Sequence, residues 1–352
     1  MKKIIVMVCL IVPFIASAQL TAKRIKAANG QYIGFYQHTP SGWSTSTAKY
    51  PVIIFLHGVG ERGNGTTELY RVKNVAIPKY IDRQTKTMKY YVNGKWQTFV
   101  VVCPQLSASY GSWQNFYVDE MIKYAVNNLK GDPNRIILTG LSLGGGGVWK
   151  YASASSANAA KLAAIVPVCG TSAMSNAYNI ASNKLAVWAF HSVNDPRVSA
   201  AYTKAAVDKI NAANPRYKAL YFPYTLATHS IWDMAYDDVY KYQNPHIFEW
   251  MLAQNKALAV NATPAVSAGA DVTIYRSSGK AVVYGKGSDV DGTMWRFLWK
   301  KVSGPSAGTI LDPKNKTLTV TGLTTAGTYV YELKGVDNDV AFKSDRATVV
   351  VK

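Results

Sequence analysis

From about residue 51 to residue 224 the chain alternates short apolar runs with stretches that can be helical, and no other feature constrains its fold as much. The runs cover 51–56, 99–103, 135–139, 164–169, 184–190 and 217–222; the helical stretches cover 116–129, 143–157 and 199–213, with another near 234–254. The runs are mostly apolar, and the first two are almost continuously Val, Ile, Leu and Phe, as expected of strands buried on both faces. Strand and helix in turn predict an α/β architecture, a mostly parallel sheet between two helical layers. Two hairpins are expected as well, one over 24–37 turning at Asn29-Gly30 and one over 89–99 turning at Asn93-Gly94.

After Leu258 the texture changes. Residues 259–265, including Ala262-Thr-Pro-Ala-Val, read as a linker. Short alternating strands at 272–275, 281–284, 295–300, 317–320, 327–333 and 347–351 then predict a small antiparallel all-β sandwich over 266–352. Two domains suit 352 residues, and 48% hydrophobic with 17% charged residues is a globular composition.

The first 18 residues are expected to be a cleaved signal peptide. Met1-Lys2-Lys3 is basic, 4–15 is apolar, Ala16-Ser17-Ala18 is a small-x-small cleavage signal, and Gln19 would be the new N-terminus. The run is too short for a bilayer core of about 30 Å. Cys9 lies inside it, which argues against a lipoprotein anchor. The expectation is an exported, soluble protein, secreted or periplasmic, without a membrane anchor.

The formal net charge is +19. Residues 19–258 hold 25 basic and 12 acidic residues, and 259–352 hold 12 and 8, so the excess sits on the first domain. The basic residues are scattered. The expectation is a solvated basic surface with some attraction for acidic polymers, and no nucleic-acid partner. Beyond the leader, Cys103 and Cys169 are expected to be free thiols.

The chemistry is carried by Gly140-Leu141-Ser142-Leu143-Gly144, between the run 135–139 and a helical stretch. A serine on a sharp strand-to-helix turn presents its hydroxyl above the sheet, and flanking glycines let strand and helix approach. Such a hydroxyl needs a base, and the base an acid, in the chain order serine, acid, histidine. Only His229 and His246 follow eligible acids. His246 opens a helix and reads as a cap or surface residue, whereas His229 follows the last run. Between Ser142 and His229 the only carboxylates are Asp195, in a loop leaving a strand, and Asp208, inside a predicted helix. The candidate triad is Ser142, Asp195 and His229. The oxyanion donors are expected to be the amide of Leu143 and one from the loop 56–63, Val59 first and Gly60 next. His57 is expected to prop that loop.

His57-Gly58-x-Gly60-Glu61-Arg62-Gly63, Pro104-Gln105, Trp113, Asp132-Pro-Asn-Arg135-Ile, the motif around Ser142 and His229-Ser-Ile-Trp232 together resemble the phospholipase/carboxylesterase-type α/β-hydrolases. That group includes polyhydroxybutyrate depolymerase-like and feruloyl or acetylxylan esterase-like enzymes and "predicted peptidases". The resemblance spans 22–258 and implies the α/β-hydrolase fold and the same three triad residues. One departure is His191-Ser-Val-Asn, where the family usually has His-Gly-x-x before the acid. The C-terminal part resembles PKD-like, immunoglobulin-fold modules through Gly287-Ser-Asp-Val-Asp-Gly, 297–305 and Val336-Asp-Asn-Asp339. Such modules carry no chemistry of their own. The Asp289/Asp291 turn reads as a plain turn, with too few oxygen ligands for calcium. No cofactor and no metal are expected.

The link between Cys169 and Lys184 is only about 14 residues, which implies an open cleft without a lid. Gln105, Tyr110, Trp113 and Trp232 are expected to ring it and bind substrate. The expected activity is esterase action on feruloyl or acetyl groups of polysaccharides. The alternatives are a polyhydroxyalkanoate depolymerase or peptidase of the same fold, or a non-catalytic carbohydrate-binding protein.

Overall fold

The computed structural model describes residues 20–84, 86–171 and 174–352. The leader expected over 1–18 falls outside the described residues. Among the described residues no helix is long and apolar enough to cross a membrane.

The first domain is built on strands β1 (Thr21–Lys26), β2 (Tyr32–His38), β3 (Tyr50–Leu56), β4 (Lys89–Val92), β5 (Lys95–Thr98), β6 (Val100–Pro104), β7 (Gly131–Leu141), β8 (Ala164–Val168), β9 (Ala186–Ser192) and β10 (Leu220–Tyr224). Its helices are α1 (Ala76–Gln84), α2 (Asn115–Asn128), α3 (Leu143–Ala154), α4 (Ser156–Ala160), α5 (Ala177–Ala181), α6 (Ala200–Ala212), α7 (Trp232–Ala235) and α8 (Ile247–Ala253). Eight strands form one sheet in the order β1-β2-β6-β3-β7-β8-β9-β10, and β4 with β5 makes a separate hairpin. From β6 to β10 every neighbouring pair is parallel. β2 joins β6 antiparallel and carries β1.

The period-2 geometry of a strand sends its side chains to two layers. In β3, Ile53 and Phe55 enter one core with Val101, Ile137, Val166 and Phe190; α1 and α8 cover it through Ile77, Ile81, Ile247 and Met251. Val52, Ile54 and Leu56 enter the other core with Val102, Leu138 and Val187, covered by α2, α3 and α6 through Met121, Val148 and Ile210. Because β3 lies between β6 and β7, the chain switches direction of travel across the sheet there. Loops at the carboxyl ends of β3 and β7 therefore border one crevice.

Three expectations change. The helix expected over 234–254 is two short helices, α7 and α8, with an irregular segment between them. Pro245 lies in that segment, lacks an amide hydrogen and disfavours helix at Asn244, so the apolar spacing of 234–254 does not continue as one helix. Nothing was expected over 69–84, where a 3₁₀ stretch (Leu69–Asn74) and α1 form. Pro78 there lies in the first turn of α1, where proline is tolerated. In the second domain, Val272–Ile274 pairs parallel with the last strand, Phe342–Val351, rather than antiparallel.

That domain packs a four-stranded against a three-stranded sheet around Trp299, Tyr329, Tyr331, Leu318 and Val349. Ala265, expected in the linker, already belongs to its strand Ala265–Ser267. The linker is tied down. Asn261 Nδ2 donates to Asp337 at 3.0 Å and the Ala262 amide to Asp291 at 2.9 Å. The module also docks on the first domain. Phe342 lies on Trp188, with ring centroids 5.4 Å apart, and Val336 and Val340 join the core under α8. Arg296 grips Glu249 of α8 with two nitrogens, at 3.0 and 2.6 Å, and covers the Tyr240 ring. Glu249 is only 3% exposed, so removing its cation strands a buried charge. Arg296→Ala is expected to lower the unfolding free energy by about 2–3 kcal/mol. In scanning calorimetry the two domains should then melt as separate transitions. Unchanged melting would contradict this interface.

Candidate active site

Ser142 sits between β7 and α3 with φ 53° and ψ −117°, a conformation rarely open to a residue with a side chain. Two contacts force the turn to be this tight. A Cβ on Gly144 would lie 2.0 Å from the Leu56 carbonyl oxygen, and one on Gly140 would lie 2.7 Å from it. Only glycine lets α3 start against β3. The Ser142 amide is held by the Val168 carbonyl of β8 at 2.9 Å.

The turn brings Ser142 Oγ within 2.9 Å of His229 Nε2, and His229 Nδ1 lies 2.7 Å from Asp195 Oδ2. Asp195 follows β9, and its other oxygen accepts the amides of Arg197 at 2.8 Å and Val198 at 3.0 Å. Burial opposes the charge on Asp195, but His229 and these two amides outweigh it and hold the carboxyl below its ordinary pKa. An ionised Asp195 can only accept, so Nδ1 of His229 carries the proton and Nε2 is free to accept from Ser142.

Neighbours that sequence reasoning did not single out as support hold this arrangement. Ser192, where the resemblance leads one to expect glycine, donates to the Leu226 carbonyl at 2.5 Å and ties the end of β9 to the segment leading to His229. His191 Nε2 donates to the Val198 carbonyl at 3.0 Å and lies 3.3 Å from Asp195. Cys169 Sγ donates to the His229 carbonyl at 3.3 Å, and burial pushes its thiol up to about 12. Cys169, Asp195 and His229 offer potential metal-ligand atoms within 4.8 Å of one another. All three atoms are already engaged, and the thiol keeps its proton.

Leu143 is the first residue of α3, where backbone amides lack intrahelical acceptors. Val59 and Gly60 begin a 3₁₀ turn (Val59–Glu61) on the facing loop, and both line a cavity of about 340 Å³ with Ser142 and His229. His57 lies beneath them with no exposure. Its Nδ1 donates to the Gly58 carbonyl at 2.7 Å, and its Nε2 accepts the Leu106 amide at 3.0 Å. Burial pushes its pKa down to about 4. His246 caps α8, its ring accepting the Glu249 amide.

Of the side chains expected around the substrate, Trp232 lines the cavity and meets His229 edge-on at 5.6 Å. Gln105 and Trp113 do not reach it. Gln105 is 2% exposed and spends its amide on the carbonyls of Glu61 and Glu68 and the amide of Gly65, bracing the loop from behind. Trp113 is 2% exposed, donates to the His57 carbonyl and packs on Gly147, where a Cβ would meet its ring atoms at under 3 Å. Tyr110 bonds Gln31 and packs on Phe116 and Tyr117. Gln105 and Trp113 come from loops at the correct rim but point into protein, and half-buried Tyr110 is spent on its neighbours. Sequence order cannot distinguish the two faces of a loop. The lining includes Glu61, Val75 and Arg197, which sequence reasoning passed over.

The arrangement can move a proton from Ser142 to His229 and stabilise the imidazolium through Asp195. His57 makes a separate prediction. Its folded pKa lies below the ordinary histidine value of 6.5, so its contribution is complete above that pH and is lost as pH falls toward about 4. The full effect is about 3 kcal/mol. Melting curves between pH 7 and 4 should fall more steeply for the wild type than for His57→Gln; parallel slopes would contradict the neutral, buried imidazole.

A family model described as Phospholipase/Carboxylesterase matches residues 43–247, and a PKD domain model matches 268–351. Among solved structures, a thermostable esterase is 23% identical with a TM-score of 0.52, over 67% of this chain and 63% of that one. A ferulic acid esterase is 14% identical with a TM-score of 0.45, over 62% and 93%. An acylaminoacyl peptidase of Pyrococcus horikoshii is 12% identical with a TM-score of 0.47, over 70% and 43%. The first supports the fold, and the other two carry no argument. No curated protein matches the chain.

Proposed function

Since this chain belongs to the phospholipase/carboxylesterase family over residues 43–247, we propose that it is an exported serine esterase acting on ester side groups, acetyl or feruloyl, of polysaccharides. The observation that carries the reading is the continuous path from Asp195 through His229 to Ser142, at 2.7 and 2.9 Å.

In the proposed reaction, Ser142 Oγ attacks the ester carbonyl while His229 Nε2 takes its proton. Asp195 holds the ring in the tautomer that can accept that proton and stabilises the resulting cation. The oxyanion is received by the amides of Leu143 and Val59, at a helix start and a 3₁₀ turn. His229 then gives its proton to the departing alcohol, leaving an acyl-serine. Water, activated by the same imidazole, releases the acid and restores the hydroxyl.

The substrate class rests on the cavity's form. Val59 at its edge is 54% exposed, and the lining includes no residue of the β8–β9 link and none of the module among the described residues. Such an open site suits an ester carried on a bulky polymer. Trp232 offers a partly exposed ring for a sugar or phenolic face. The module meets the first domain through α8, the β4–β5 hairpin and Trp188 near the start of β9, whereas Asp195 follows the end of that strand. Its proposed role is to present or attach the esterase.

Ser142→Ala is expected to lower kcat/KM on an acetyl ester about 10³-fold or more, with the fold intact by circular dichroism; unchanged turnover would exclude Ser142 as nucleophile. In a panel of acetylated xylan, feruloylated oligosaccharide, polyhydroxybutyrate and a peptide anilide, the saccharide esters should turn over fastest. Preference for the polyester or the anilide would overturn the substrate class but not the mechanism.

A further inference from the structure

The loop that carries Asp195 also carries a cation, Arg197, that no described residue pairs with. Pro196 follows the acid and fixes its own φ near −65°. The Asp195 carboxylate then clamps the amides of Arg197 and Val198, so the backbone at Arg197 is set by the same side chain that orients His229. Arg197 lines the cavity that holds Ser142, His229 and Trp232. It is exposed. Its guanidinium makes no hydrogen bond or ion pair among the described residues.

Most other arginines of this domain are engaged, and Arg216, which has no such partner among the described residues, borders a different cavity. Arg62 donates to the Val59 and Tyr110 carbonyls, Arg71 pairs with Glu68, Arg83 with Asn74, and Arg135 donates to Gln97 and Leu252. Among the described residues the one other charged side chain lining the cavity is Glu61. Its carboxylate turns under the loop, 3.9 Å from His57 Nδ1 and 3.3 Å from the position a Gly58 Cβ would take, and no carboxylate among the described residues lies within ion-pair distance of Arg197. The mouth of the site therefore presents an uncompensated guanidinium, on a domain whose residues 19–258 hold 25 basic against 12 acidic side chains.

We propose that Arg197 is a specificity residue that reads a carboxylate on the substrate, so that the favoured ester carries an anionic group close to the scissile carbonyl. A planar guanidinium matches a carboxylate with two parallel hydrogen bonds, and inside a concave mouth the pair is screened less than on open surface. The carboxylate can belong to the alcohol half, as in an acylated uronic acid unit of an acidic polysaccharide, or to the acyl half, as in the half-ester of a dicarboxylic acid. Both place the same group before the same side chain. The inference rests on the esterase reading and narrows it. Arg197 takes no part in the bond-making steps.

Two matched pairs test it: acetylated methyl galacturonate as its free acid against acetylated methyl galactoside, and the 4-nitrophenyl half-ester of adipic acid against 4-nitrophenyl hexanoate. For at least one pair the wild type should favour the carboxylate member about tenfold in kcat/KM at low ionic strength, with the ratio shrinking in 0.5 M salt, roughly as screening demands. The pair that shows the preference identifies the half that bears the charge. Arg197→Gln should bring the ratio close to one, chiefly by raising KM for the anionic ester. Arg197→Lys should keep part of the preference. Lys280→Gln, which removes a remote charge in the module, should keep all of it. Turnover without preference in the wild type, or a preference that survives in Arg197→Gln, would overturn the inference and leave the esterase reading standing. Failure to hydrolyse any of the four esters would overturn both.

Discussion

The close approach of α3 to β3 is the contact on which the site depends. Where a side chain on Gly144 would be, there is the carbonyl oxygen of Leu56, 2.0 Å away, and the neighbouring Gly140 faces the same oxygen. With strand and helix this close, the residue between them must turn sharply, and Ser142 does so at φ 53°. Strain of this kind costs on the order of 1–3 kcal/mol and persists only where surrounding structure enforces it. Here the enforcement comes from the Val168 carbonyl on the Ser142 amide and from a helix whose residues Val148, Trp149 and Ala152 are buried in the core. Packing far from the hydroxyl thus sets where the hydroxyl points.

Asp195 is the second organising residue. One of its oxygens fixes the His229 tautomer, and the other fixes the loop bearing Arg197. Around it, His191 and Ser192 at the end of β9 and Cys169 after β8 bind backbone carbonyls of the segments that bear the acid and the base. The opposite wall is built in the same manner, with His57, Gln105 and Trp113 buried behind the Val59–Gly60 turn. Some residues of conspicuous motifs, His57, Gln105 and Trp113, thus shape the cavity from behind, while others, such as Trp232, line it together with plainer neighbours such as Val75 and Arg197.

That distinction marks how far the sequence could be read. The parallel sheet was legible because continuous apolar runs have few other uses, and the three-residue constellation was legible because chain order left one acid and one base in suitable loops. The roles of Gln105 and Trp113 were not, since a loop residue can face either the cleft or the core and the pattern is the same for both. Arg197 was hidden for the complementary reason: an exposed arginine in a basic chain looks ordinary until the structure shows which cavity it borders. The docking of the module depends on tertiary contacts, such as Arg296 on Glu249, that have no local signature, whereas the break between α7 and α8 was marked locally by Pro245 and was passed over. Ser192 in place of glycine proved compatible with the loop because its hydroxyl finds the Leu226 carbonyl.

Everything at this site turns on activation of the Ser142 hydroxyl by the histidine 2.9 Å away. Labelling of the purified protein with a fluorophosphonate, followed by mass spectrometry of its peptides, tests that most directly. A single adduct on Ser142 is expected, formed rapidly at neutral pH and slowed severely when His229 is replaced by alanine. An unmodified Ser142, or an adduct that forms equally fast without His229, would contradict it.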